Sequence, residues 1–111
     1  MQEIPLLNVP NQELMVTLDG QDFVLTVKQR GERVYMDATL DGAPLFSGAV
    51  CLPGLSVGHA PYPMRGLFCW TDSLAKPMQQ TAPNYKEFRS RYHLFYVPED
   101  EILEQIALLE R

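Results

Sequence analysis

Between Glu13 and Leu52 the chain alternates apolar and polar residues in three runs, each closed by a tight glycine-bearing turn. Leu14, Val16 and Leu18 recur at every second position, followed by Asp19-Gly20. Phe23, Leu25 and Val27 repeat the rhythm up to Arg30-Gly31-Glu32, and Val34, Met36, Ala38 and Leu40 carry it to Asp41-Gly42. A period of two puts one set of side chains on one face of a sheet. Asp-Gly suits a two-residue hairpin because the central residues need positive φ, which glycine adopts at little cost. This stretch therefore predicts a β-meander.

The flanks fit a β domain. Glu3 to Val9 is apolar but holds Pro5 and runs into Pro10, which confines it to an edge strand or a strand start. The turn Asn8-Val9-Pro10-Asn11 then leads into the meander. Pro44 to Leu52 is apolar on both alternating sets, the pattern of a strand covered on both sides, by its own domain and by a neighbour. Gly48 in its middle marks a bulge or bend. Residues 53 to 63 hold Pro53, Gly54, Gly58, Pro61 and Pro63 and read as a loop. A strand is expected over Arg65 to Thr71, a second long loop over Asp72 to Asn84, and a last strand region over Tyr85 to Val97. Pro98, Glu99, Asp100 and Glu101 suit a helix start, and Ile102, Leu103, Ile106 and Leu109 fall on one helical face. The expectation is an all-β fold, a small antiparallel β-sandwich or partly open β-barrel of about seven strands. It comprises a β domain over 1–97 and a C-terminal α-helix over 98–111.

Composition narrows the function classes. A chain of 111 residues suits one domain with its own core. A formal charge of −5 argues against a phosphate-binding surface, and Lys86, Arg89 and Arg91 read as a solvated strand face. No apolar run approaches the roughly 20 residues that span a bilayer, and no signal-peptide pattern opens the chain, so a cytosolic site of synthesis is expected. Cys51 and Cys69 lie on apolar strand segments without CxxC spacing and are expected to be free, buried thiols. No cofactor or metal is implied.

Catalytic signals are weak. His59 lies in a Gly/Pro loop and reads as an anchor or surface contact, while His93 reads as a half-exposed strand residue. No serine has a nucleophile-elbow context, and Asp19 and Asp41 are accounted for by their turns. Tyr62, Trp70, Tyr85, Tyr92 and Tyr96 offer an aromatic platform on one reading and core packing on the other. Two alternatives follow: a monomeric β-barrel binding module for carbohydrate or peptide, and, ranked below it, a small hydrolase.

Several segments in order resemble the baseplate plug proteins of contractile-tailed phages. The opening Ile4-Pro5-Leu6, Val9-Pro10-Asn11-Gln12 and Val16-Thr17-Leu18-Asp19-Gly20-Gln21 is similar to that family's start. Val24 to Gly31 and Val34-Tyr35-Met36-Asp37 continue the likeness, as do Gly66-Leu67-Phe68 with Asp72 and the closing Tyr85 to Tyr96. Ala82-Pro83-Asn84 departs from the Asp-Pro that such proteins carry before the tyrosine, and the segment from Pro98 looks like an addition. The resemblance implies a structural protein of the virion tail, assembled in the host cytoplasm and without enzymatic activity. It would lie on the tail axis, touching baseplate hub, spike and tail tube proteins and closing the channel before injection. The symmetry of that axis implies a ring of three or six copies. Candidate interface residues come from the two long loops and the helix stripe. They are Pro53, Leu55, His59, Tyr62 and Met64; Leu74, Met78 and Tyr85; and Ile102, Leu103, Ile106 and Leu109.

Overall fold

A computed structural model describes residues 2–53, 57, 66–73, 82–98 and 100–101. Among them are seven strands: β1 (Gln2–Glu3), β2 (Asn11–Leu18), β3 (Gln21–Arg30), β4 (Arg33–Leu40), β5 (Ala43–Val50), β6 (Leu67–Asp72) and β7 (Tyr92–Val97). They form two open antiparallel sheets, a four-stranded meander β2-β3-β4-β5 and a three-stranded sheet β1-β7-β6. The all-β expectation holds, and the architecture is the sandwich of the two forms considered.

The meander follows its turn chemistry. Asp19 and Gly20 both have positive φ, at 57° and 74°, and Asp41 and Gly42 repeat the pattern at 50° and 86°. Two consecutive positive values define the hairpin turn whose twist matches its strands. Leu18 pairs with Gln21, Arg30 with Arg33 and Leu40 with Ala43, so each connection is two residues long. The registers line up Phe23, Leu25 and Val27 with Leu40, Ala38 and Met36 on the buried face. Leu14 and Val16 pack against that core from the outer strand, partly covered.

The second sheet closes the core. Phe68 and Trp70 on β6 and Tyr92, Leu94 and Tyr96 on β7 are buried, and Ile4 and Leu6 join them from the N-terminus. The Ile4 N–H donates to the Leu94 carbonyl at 2.8 Å, extending the short pairing of β1 with β7. Phe23 meets Phe68 edge-on with ring centroids 5.5 Å apart and lies 6.0 Å from Tyr96, so aromatic contacts tie one sheet to the other. Residues after β5 cross between the sheets. The Cys51 N–H donates to Val34, Pro53 bridges to Trp70, and the Val57 N–H donates to Phe68.

Three expectations change. The stretch Tyr85–Glu87 is a 3-10 turn rather than strand, with Asn84 as its N-cap accepting from the Lys86 N–H, and β7 starts only at Tyr92. Arg89, at φ 66°, breaks any extended run through this stretch. Second, among the described residues β5 is an edge of its sheet and partly open, with Val50 40% exposed and Ser47 and Gly48 exposed. Third, the C-terminal helix over 98–111 is not borne out: no α-helix is among the elements of the described residues, where Asp100 and Glu101 alone have helical backbone. The expected stripe Ile102, Leu103, Ile106 and Leu109 lies outside those residues.

Candidate functional site

The meander turns its second face away from the core, and strand pairing arranges that face in rows. Met15, Val24, Thr39 and Pro44 form one row across all four strands, with Met15 82% exposed. Asn11, Lys28, Tyr35 and Val50 form another, and Glu13, Thr26 and Asp37 lie between them. An apolar row beside a polar one is a mixed surface of the kind that protein partners cover.

Asp37 organises the centre of this face. Met36 pairs with Ala49 and Ala38 with Phe46, so β5 spends one extra residue there and bulges around Gly48, whose φ is 65°. The Gly48 N–H, freed by the bulge, donates to Asp37 Oδ1, and Lys28 Nζ stands 3.0 Å from Asp37 Oδ2. The Gly48 N–H, then Lys28, hold the Asp37 carboxyl below its usual range. Lys28, Arg30, Tyr35, Asp37, Ser47 and Gly48 line an open depression of about 460 Å³ beside the bulge. Gly48 was legible as a bulge or bend; its partner Asp37 was not, because the β4 residue that faces the bulge depends on the shifted register.

Elsewhere the polar side chains brace the scaffold. Arg91 Nε and Nη2 donate to the two Asp72 oxygens at 2.8 and 2.9 Å, joining β6 to the start of β7, and the pairing raises the Arg91 guanidinium further. His93 Nδ1 lies 2.9 Å from Glu3 Oε2, with Arg89 3.6 Å from the same oxygen, so the pair fastens β1 to β7. His93 is thus the half-exposed strand residue expected. The Asn8 amide donates to the Tyr85 and Phe88 carbonyls, and the Tyr85 N–H donates to Gln29 Oε1.

Of the candidate interface residues, Pro53 is buried against Trp70 and Tyr85 is half-buried on the 3-10 turn. Leu55, His59, Tyr62, Met64, Leu74, Met78 and the helix stripe lie outside the described residues. The aromatic platform does not form from the residues described. Trp70, Tyr92 and Tyr96 are in the core, Trp70 tilted against Phe88 with ring centroids 5.3 Å apart. Cys51 and Cys69 are both free; Cys51 is fully buried and Cys69 half-buried. Burial pushes the Cys51 thiol up to about 12, which leaves it protonated and unsuited to nucleophilic work. Among the described residues no three His, Cys, Asp or Glu side chains gather to hold a metal ion.

A braced sandwich with a mixed outer face invites comparison with proteins of assemblies. The family model described as cyanophage baseplate Pam3 plug gp18 matches residues 1–100. The chain belongs to this baseplate plug family. Membership places it among structural proteins of the phage tail baseplate, in association with other baseplate proteins. The match takes in both sheets of the plug fold and every cross-sheet contact described above. Among curated proteins none matches the chain.

Proposed function

We propose that the protein is a non-enzymatic plug on the axis of a contractile tail, seated where tube, hub and spike proteins meet and closing the channel before injection. The observation that carries this reading is the family match over residues 1–100. The geometry supports it. A plug must hold its shape under load, and the two sheets share one core of interlocked aromatic rings. It must also meet neighbours, and the outer face of the meander with its edge strand β5 offers apolar and polar rows for contact. Assembly then takes place in the host cytoplasm as the baseplate forms. Co-expression with the hub, spike and tube proteins of the same tail, followed by pull-down and light scattering, is the test. A stoichiometric complex with at least one of them is expected. Absence of any complex, with specific binding of a soluble sugar or peptide instead, would replace the plug with a binding module.

A further inference from the structure

The charges of the meander are segregated by its topology. The β2–β3 and β4–β5 turns lie at one end of the sheet and the β3–β4 turn at the other. The first end carries Asp19, Asp22 and Asp41, all exposed, and residues 17–23 and 39–44 contain no lysine or arginine. The Asp41 N–H donates to the Asp22 carbonyl, so the two turns are adjacent.

The opposite end carries Arg30 and Arg33, both exposed and directly paired across the β3–β4 hairpin. Like charges facing each other across a strand pair are destabilising. The contact between Tyr85 and Gln29 brings the turn with Lys86 to the same end. Glu32 offsets one of these three charges, and Glu87 is engaged with Arg91. A basic end on a chain of net charge −5, built around a pairing that costs stability, calls for an anionic occupant.

The two ends are eight residues apart along β4, about 25 Å at strand rise, which exceeds the ~10 Å over which charges interact at ~0.1 M salt. Neither end can therefore neutralise the other within one molecule. They can do so between molecules. We propose that the Arg30–Arg33 end receives the Asp19–Asp22–Asp41 end of a second copy, a head-to-tail contact between protomers. The surfaces differ, so the contact is heterologous; it closes into a ring where the rotation allows and otherwise propagates. Net negative charge repels copies in other orientations and steers them to this one. The contact follows from charge placement and does not depend on the plug reading, whose test is complex formation with other baseplate proteins.

A charge swap tests it. One variant carries Arg30→Glu and Arg33→Glu. The other carries Asp22→Lys with Asp19→Asn and Asp41→Asn, since asparagine keeps the positive φ those two positions need. Sedimentation velocity at high protein concentration and ~10 mM salt should show wild type above its monomer mass of 12.6 kDa, returning to it at ~1 M salt. Each variant alone should stay monomeric at low salt while keeping a cooperative thermal melt, and an equimolar mixture should regain association. The conservative pair Arg30→Lys and Arg33→Lys should associate like wild type, which separates lost charge from lost folding. Wild type that stays monomeric at every salt and concentration would overturn the proposal. So would variants that associate alone as wild type does, or a mixture of folded variants that fails to associate.

Discussion

The meander and the three-stranded sheet enclose the same core but are assembled in different ways. In the meander, strands adjacent in sequence are adjacent in space, and connections of two residues start every register, which only the β5 bulge then shifts. In the other sheet β7 lies between β1, from the opposite end of the chain, and β6, so Gln2 pairs with Tyr96 and Leu67 with Val97. Local chemistry decides the first; the second is held by burial. The difference teaches where each should break. The meander is sensitive at turn positions that need a special backbone, the small sheet at side chains and close contacts that hold distant segments together.

The largest expected effect is at Trp70, which is fully buried on β6. Trp70→Ala should cost about 3–5 kcal/mol, the range for removing a large core aromatic. Its Nε1–H has no hydrogen-bond acceptor beyond a weak approach to the Cys51 thiol, so Trp70→Phe loses little polar energy and should cost under about 1.5 kcal/mol. Phe23→Ala, made from the meander side, should also cost about 3–5 kcal/mol because Phe23 packs against Phe68 and Tyr96. Urea unfolding followed by near- and far-ultraviolet circular dichroism checks all three. If the sheets share one core, every variant keeps a single coincident transition. Two separated transitions in Phe23→Ala would show that the sheets fold independently.

Glycines sharpen the comparison. At Gly66, ahead of β6, an added Cβ would run into the Val97 carbonyl and the Tyr96 ring, and one of those contacts is backbone. Gly66→Ala should cost about 1–3 kcal/mol by forcing the strands apart. At Gly42 there is open space, but φ is +86°. Gly42→Val should cost about 1–2 kcal/mol from backbone conformation alone. Gly42→Asn should recover most of that loss, because asparagine tolerates the left-handed region, whereas Gly66→Asn should not. Equal recovery at both positions in thermal melts would erase the distinction between turn-limited and contact-limited sheets.

The same contrast accounts for what the sequence made legible. Period-two alternation and Asp-Gly turns are local signals, so the strands of the meander, their inward faces and their turns could be read directly. The exposure of β5 could not, since an apolar run such as Pro44 to Leu52 looks alike whether it is interior or an edge. Tyr85 to Arg91 runs into β7 with no Gly or Pro to interrupt it, but Asn84 caps a 3-10 turn there and Arg89 adopts positive φ. The inward set Tyr92, Leu94 and Tyr96 was legible; that β1 would be its neighbour was not, because pairing across more than 90 residues leaves no local trace. For the candidate site, Gly48 announced a bulge. The carboxylate that fixes it, and the facing of Arg30 with Arg33, emerge only once register is known.

The smallest effect expected is at Asp37, where a side chain from the neighbouring strand repairs a local irregularity in the meander. Its carboxylate accepts the N–H that the β5 bulge leaves without a ladder partner and holds Lys28 beside it. Asp37→Asn keeps an oxygen for Gly48 but loses the charge, so the loss near neutral pH should be about 0.5–1 kcal/mol, limited by partial exposure of both partners. The pH dependence carries the sign. The folded carboxyl titrates below its ordinary value of 3.8. Its contribution is therefore complete above that value and disappears as pH falls through the lower folded one. Wild type and Asp37→Asn should differ by a constant amount from pH 5 to 7, and their stabilities should converge below about pH 4. Urea midpoints across that range provide the measurement. A gap that persists unchanged at low pH would mean that packing around the bulge, and not the charge of Asp37, holds β5 to the sheet.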